Sequence, residues 1–529
     1  MCEKQHLTGN RLTPDQKAAD FEHLFQVIRD NHPFICLKAR VEGYDWLAHY
    51  REFRSLVKET RDDREFARAI RRILLLINNG HTGIAGRIEA TLVPRPPGVD
   101  DNFWDAWAAR FEGIDPDVAE RWQTLSREPE QREDTFPSME AVYSGGDYVV
   151  VGVAPALEDT VDIQEGLLIE KVNGQDVHDY VAGLRGTGLL KYDPIRKRLY
   201  QGVLLLPEGT VRLGLVNLDD TRRELSIPGR TGQYRVAWTR SPVLDMAASG
   251  NPYPRTAGNL YSCLLKDGRG DNVAYLRVAS MTFWSDRHKM EQETALLKAF
   301  FHDIKEVPAL IIDIRGNPGG QDPAWHRIVS LLASEELEVT TAIALRDGAL
   351  ARPFAEWLES RAGAEYLIER SRTHLKLPAE VMSGAFRNPF IIPKSLKPDE
   401  ESIRYRGKVF LLVDDRVFSA AESFAVFCKW SGFATLVGSH TGGDGIGWES
   451  LVCRLPHSGL VFIFPMAMGI NPDMTVNEEV HTLPHVLVEQ TVEDLLKAAA
   501  QDKPAACPDP GSDTVLRKCL ELAGRGNAI

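Results

Sequence analysis

Two short runs, residues 309–314 and 408–413, are apolar at almost every position, and each breaks into a tight turn before a helical pattern begins. A strand with no polar face cannot lie on a surface, so such runs belong inside a parallel sheet covered on both sides. The same rhythm fills much of the C-terminal half. Predicted strands at 273–278, 309–314, 338–345, 408–413 and 434–437 alternate with predicted helices at 290–304, 323–332 and 420–430. That alternation predicts an α/β core with crossover connections. A charged, partly helical insertion at 346–404 interrupts it, and two further strands, 448–455 and 460–464, flank the turn Pro456-His457-Ser458-Gly459.

With 529 residues the chain exceeds what one hydrophobic core organises, and about three or four domains are expected. Thr13-Pro14-Asp15 reads as an N-cap with proline in the first helical turn. Phe66, Ile70, Ile73, Leu74 and Ile77 fall on one face of a helix over 63–77, which stops at Asn78-Asn79-Gly80-His81. A run rich in Trp, Pro and acidic residues, 89–137, resists assignment. Then come a β-branched strand at 148–153, a strand and turn at 167–174, and a hairpin formed by 210–217 and 222–227. The domains therefore read as a helical N-terminal domain at 1–90, an unassigned linker or insertion at 91–137, and a small β-rich domain at 138–235. The α/β core comes in two parts, 236–345 and 405–500, around the insertion 346–404. The tail, 501–529, holds one short helix at 515–522.

Hydrophobic residues at 43% and charged residues at 26% describe an ordinary globular chain. A net charge of −13 argues against a nucleic-acid surface, which shows as a basic stripe. The seven cysteines are scattered and odd in number, with no Cys-x-x-Cys pair, so neither a disulfide framework nor a zinc site is expected. No apolar run is long enough to span a membrane. The polar N-terminus points to a cytoplasmic protein without a signal peptide. The alternative is a lipoprotein anchored through Cys2 after removal of a leader.

The chemistry is expected where the apolar strands end. Residues 311–314 run into Arg315-Gly316-Asn317-Pro318-Gly319-Gly320, and a helix follows. Backbone N–H groups in such a turn can hold an anion or a developing oxyanion, and glycine lets a substrate come close. The bland alternative is a plain strand-to-helix turn. Residues 408–413 run into Asp414-Asp415-Arg416-Val417-Phe418-Ser419, and Ser419 opens a helix. Alone, Ser419 reads as an N-cap with Glu422 completing a capping box. A serine nucleophile would gain from the same helix terminus, with the N–H of Ala420 free to donate to an oxyanion.

Taken together the two segments resemble the tail-specific (C-terminal-processing) serine proteases, a family that includes the catalytic core of tricorn protease. Four stretches carry the resemblance in order: Asp313 to Gly320, Ser419-Ala420-Ala421-Glu422, Gly438-Ser439-His440-Thr441-Gly442-Gly443, and Gly469-Ile470-Asn471-Pro472-Asp473. Upstream, Asn79-Gly80-His81-Thr82 is similar to the Asp-Gly-His segment of the tricorn-like branch. Gly166 to Gln175 is similar to a signature of the family's PDZ-like domain, with Leu167 where that signature has aspartate. The resemblance implies a catalytic core of the ClpP/crotonase-like ββα type, an N-terminal helical domain and a PDZ-like domain. It implies hydrolysis of peptide or protein substrates through an acyl-enzyme, without cofactor or metal.

One branch of the family uses a lysine in the Gly-rich region; here Asp444 stands in that place, so a Ser–Lys dyad is not expected. The tricorn-like branch uses a histidine from the N-terminal part, and His81 takes that role by resemblance, with His440 a minor rival. A neutral imidazole accepts a serine proton near neutral pH. Gly319 or Gly320, with Ala420, would form the oxyanion hole. The branch's orienting glutamate precedes the Gly469 stretch, but this chain has Phe464-Pro465-Met466-Ala467-Met468 there. Glu449, Asp444 and Glu422 are the substitutes, and the sequence does not rank them. Because that glutamate is missing, a non-catalytic module binding a hydrophobic ligand or peptide on the same scaffold is the first alternative. A crotonase-like acyl-CoA enzyme is the second. Oligomeric state and substrate identity are not written in the sequence.

Overall fold

The computed structural model describes residues 12–92, 100–127, 136–154, 162–188, 190–217, 219–231, 255–282, 287–361, 368, 376–447, 449–499 and 508–524. Residues 448 and 507, and the N-terminal segment with Cys2, lie outside that description. Among the described residues no helix is long and apolar enough to cross a membrane.

The centre is a seven-stranded sheet in the order Arg255–Ala257, Leu260–Lys266, Asn272–Val278, Ala309–Asp313, Lys408–Val413, Thr435–Gly438 and Val486–Leu487. The first three strands run antiparallel and the rest pair in parallel. Side chains along these strands alternate between two cores, as a two-residue period requires. Leu310, Ile312, Leu411 and Val413 face helices Asp322–Leu332 and Ala420–Ser431, where Trp325 stacks on Phe424 at 5.5 Å. Ile311, Phe410 and Leu412 face the C-terminal helix Thr514–Gly524 through its Val515, Leu516, Cys519 and Leu520. That helix, expected only as a short tail element, covers the second face of the sheet.

One predicted strand sits elsewhere. Leu337–Leu345 pairs antiparallel with Phe390–Leu396 and Ala467–Ile470 in a separate three-stranded sheet, so it is no member of the parallel core. Its apolar composition suits either place; what decides is the partner Phe390–Leu396, a strand inside the stretch expected to be a partly helical insertion. The unassigned stretch contains two capped helices, Asp101–Ala108 and Pro116–Ser126, whose N-caps Asp100 and Asp115 accept backbone N–H bonds. The second has proline in its first turn.

At the N-terminus Thr13 closes a reciprocal capping box with Gln16 ahead of helix Pro14–Asn31. Phe66, Ile70, Ile73, Leu74 and Ile77 are all buried. These helices do not close on themselves: their core is shared with Leu451, Phe462 and Phe464 of the hairpin Ser450–Arg454 and Val461–Pro465. A β-rich sheet with its own core takes the order Arg222–Pro228, Thr210–Val216, Leu168–Val172, Asp147–Val153, Met139–Ser144. Its outer hairpin pairs Arg222 with Val216 and Pro228 with Thr210.

Candidate active site

Strands Ala309–Asp313 and Lys408–Val413 are parallel neighbours, so their carboxyl ends deliver two turns to the same place. Asp313 anchors the first turn: it accepts from Tyr275 Oη at 2.7 Å and pairs with Arg315 at 2.6 Å. Burial alone would raise its carboxyl, but Arg315 and Arg277 outweigh that and hold it well below the usual carboxylate range. The turns are tied by Gly316 N–H donating to Asp414 Oδ1 at 2.7 Å and Phe418 N–H donating to Asn317 O at 3.2 Å. Gly319, at φ 100°, lies so close to the serine turn that a Cβ there would stand 2.6 Å from Phe418 O and 2.7 Å from Ser419 Cβ. Only glycine satisfies both demands.

Ser419 has φ 56° and ψ −125°, a conformation costly for a residue with a side chain. Its side chain makes no capping hydrogen bond to its own helix. The capping box of Ser419 with Glu422 is therefore absent, and the hydroxyl faces His81, with Oγ 3.2 Å from Nε2. The ring's other nitrogen, Nδ1, lies 2.7 Å from Asp444 Oδ2. Ser419, His81 and Asp444 thus form one continuous hydrogen-bonded row, built from residues 338 and 363 positions apart in the chain.

The position of His81 follows from local structure. The helix Asp63–Leu75 ends, Asn78 turns the chain at φ 59°, and Gly83–Ile84 pairs antiparallel with Val461–Pro465. His81 lies between these two anchors. Its ring stacks on Phe418, centroids 4.8 Å apart. Its backbone N–H donates to Asn79 Oδ1 at 3.0 Å, while Asn79 Nδ2 donates to Asp444 Oδ2 at 2.9 Å and to Glu478 Oε1 at 3.2 Å. One amide therefore sets both the histidine backbone and the carboxylate that faces its ring.

Electrostatics match the geometry. Burial disfavours a charged His81 ring, but Asp444 outweighs it and holds the pKa above the ordinary imidazole value. Burial would raise the Asp444 carboxyl, yet His81, Asn79 and Lys38 keep it below its ordinary value. Asp444 stays an anion beside a ring that can become a cation.

The other candidates take other roles. Glu422 is buried and accepts from Asn477 Nδ2 at 2.8 Å and Thr482 Oγ1 at 2.5 Å, bracing the Gly-rich loop. A Cβ on Gly445 would stand 2.4 Å from Glu422 Cβ, which is why that loop needs glycine there. Glu449 is exposed and makes no hydrogen bond to His81. His440 Nδ1 lies 2.8 Å from Thr441 O, and its ring faces Tyr200 and His481, not Ser419. The apolar residues standing where the glutamate was expected, Phe464, Met466, Ala467 and Met468, are wholly buried. Of the two glycines, Gly319 spends its N–H on Asn317 Oδ1 at 2.9 Å, and its carbonyl accepts from Met281. Gly320 stands next to it at φ 142° with its backbone against Met281. Among the described residues no cluster of His, Cys, Asp and Glu is arranged to hold a metal ion.

Sequence reasoning did not single out Asn79, Phe418, Lys38 or Glu478 as contributors. Asn79 and Phe418 were nonetheless within reach of it, since Asn79 opens the Asn79-Gly80-His81-Thr82 segment and Phe418 directly precedes Ser419.

A family model for peptidase family S41 matches residues 272–488. No curated protein matches the sequence. Among solved structures, mature CPAF is 15% identical over 98% of this chain and 99% of that one, with a TM-score of 0.58. CPAF complexed with lactacystin is 16% identical over 96% and 98%, with a TM-score of 0.55. At these identities the likeness is one of fold, and it extends over nearly the whole of both chains. The photosystem II D1 C-terminal processing protease is also similar, at 17% identity over 90% and 94%, with a TM-score of 0.36.

Proposed function

We propose, taking the chain as the serine peptidase that its family S41 segment at 272–488 makes it, that it is an endopeptidase working through Ser419, His81 and Asp444. The observation that carries this reading is the 3.2 Å approach of His81 Nε2 to Ser419 Oγ, two groups with no local reason to meet. In this reading Ser419 Oγ attacks the scissile carbonyl while His81 Nε2 takes its proton. The tetrahedral oxyanion is held by the N–H groups of Gly320 and Ala420. His81 returns the proton to the leaving amine, and an acyl-enzyme on Ser419 remains. Water, deprotonated by the same imidazole, then releases the new carboxyl end. Asp444 holds the ring in the tautomer with Nδ1–H and stabilises the imidazolium in both halves.

The missing glutamate was the reason to consider a non-catalytic binding module. In this reading Asp444 takes that role from the Gly-rich loop, so the departure is a change of acceptor and not a loss. The sheet spanning 139–228 is read as a PDZ-like module that presents chain ends or segments of a protein substrate. The test is hydrolysis of fluorescein-labelled casein by the full chain and by Ser419→Ala. The variant is expected to fold with an unchanged melting temperature and to lose hydrolysis; undiminished turnover by the purified variant would exclude Ser419 as nucleophile.

A further inference from the structure

Behind Asp444 lies a buried row of charges that the reaction itself does not use. Lys38, on helix Ile35–Glu42, places Nζ 2.9 Å from Glu42 Oε1 and 2.7 Å from Glu478 Oε1. Its side chain is 9% exposed; those of Glu42 and Glu478 are 0% and 5%. The far oxygen of Glu42 accepts from Arg185 Nη2 at 2.6 Å and from Asn78 Nδ2 at 3.0 Å. The near end of the row reaches the active site through a single amide, since Asn79 Nδ2 donates to Glu478 and to Asp444 together.

This arrangement carries an electrostatic problem and its solution. Two carboxylates that share one amide repel, and the orienting acid is useful only while it stays ionised. Burial, opposed by Lys38 and reinforced by Asp444, pushes Glu478 up to about 7. Lys38 itself stays charged despite burial because Glu42 and Glu478 both face it. The titratable groups facing the His81–Asp444 pair are His32 at the end of the first helix, Lys38 on the second, Glu478 beyond Asn79, and Glu449. Lys38 is the cation among them that is hydrogen-bonded into the row, and it clamps the Glu478 oxygen that Asn79 also holds.

We propose that Lys38 is a positioning residue for hydrolysis: by neutralising and clamping Glu478 it fixes Asn79, and through Asn79 both the His81 backbone and the ionised Asp444. This rests on the peptidase reading, and the experiment separates the two. Loss of labelled-casein hydrolysis in Ser419→Ala speaks for the peptidase reading alone. The inference is read from Lys38→Met, Glu478→Gln and the double variant in the full chain, with circular dichroism to verify folding. Lys38→Met leaves Glu478 buried without its cation and is expected to lower kcat about tenfold or more, with KM within about twofold. Adding Glu478→Gln removes the unclamped carboxyl and is expected to restore kcat to within about threefold of wild type. A residue that merely packs would give losses that add. Lys38→Met with wild-type kcat, or a double variant no better than Lys38→Met, overturns the proposal.

Should Lys38→Met fail to fold, Glu478→Gln alone decides, by ¹⁵N NMR titration of the His81 ring, which needs no turnover. Glu478 is one of the anions that raise the His81 pKa, so the variant's titration is expected at lower pH. An unchanged titration would mean that this row does not act on the pair.

Discussion

In the proposed mechanism Asp444 is the orienting acid, and replacing it by asparagine isolates its charge. In the wild type, Asp444 Oδ2 takes both the His81 ring bond at 2.7 Å and the Asn79 bond at 2.9 Å. An asparagine carbonyl at that position keeps both bonds and removes only the negative charge. Two unit charges about 4 Å apart at an effective dielectric constant of about 20 interact by about 4 kcal/mol. Loss of that stabilisation of the imidazolium lowers kcat by about 10²–10³-fold. If the amide turns over, its NH₂ meets the amide of Asn79 and forces the other histidine tautomer, and the loss grows to about 10⁴-fold. The pH profile gives a second reading. Asp444 raises the His81 pKa, and kcat/KM rises as that ring loses its proton. Removing the anion therefore moves the acid limb to lower pH. The assay is labelled-casein hydrolysis across pH 5–9 with folding checked by thermal melt. A variant within about fivefold of wild type, with an unmoved acid limb, would refute the reasoning that Asp444 acts through its charge.

Gly319→Ala puts a side chain at φ 100°, where its Cβ meets the Ser419 turn, so Ser419 must move; a soluble chain with hydrolysis down about 10²-fold is expected, and full activity would contradict the packing. Acid stability follows from two buried imidazoles. Burial pushes both His32 and His481 down to about 3, so each stays neutral in the fold while the unfolded ring protonates below about 6.5. Stability is therefore lost as pH falls from about 6.5 toward 3, at a cost near pH 5 of about 2 kcal/mol for each ring. His81, whose pKa is raised, works the other way: its contribution is present below about 6.5 and is lost as pH rises through the folded value. Glu478, held up at about 7, sides with His81, while His326, pushed down to about 4 by burial, sides with His32 and His481. With three rings against two groups, calorimetry should show a lower Tm at pH 5 than at pH 7, and an equal or higher Tm would contradict it.

The parts of the fold that the sequence made legible are those whose local pattern has one reading. The apolar runs ending at Asp313 and Val413 can lie only inside a covered sheet, and the strained serine turn follows directly from the second. The strand Leu337–Leu345 looked like a fifth member of that sheet because its partner, Phe390–Leu396, lies hidden inside a charged stretch. Helices Asp101–Ala108 and Pro116–Ser126 were passed over although Asp115-Pro116 is an N-cap followed by proline; the surrounding tryptophans and acidic residues masked the period. At the site, Ser419 and His81 could be named from motifs, but their meeting depends on the pairing of Gly83–Ile84 with Val461–Pro465, which no local pattern reveals. Asp444, Glu449 and Glu422 are equivalent as carboxylates in a sequence. Only the fold distinguishes an acid hydrogen-bonded to the ring from one bracing a loop and one that makes no bond to the ring. Lys38 and Glu478 were invisible for the same reason, since a buried ion pair is a property of packing.

The most direct test of the account is covalent labelling by a fluorophosphonate probe, mapped by mass spectrometry and timed across pH. The account predicts a single adduct on Ser419, formed faster as pH rises through the His81 pKa, and slowed by about 10³-fold or more in His81→Ala. An adduct on another residue, or labelling of Ser419 at an undiminished rate without His81, would contradict it.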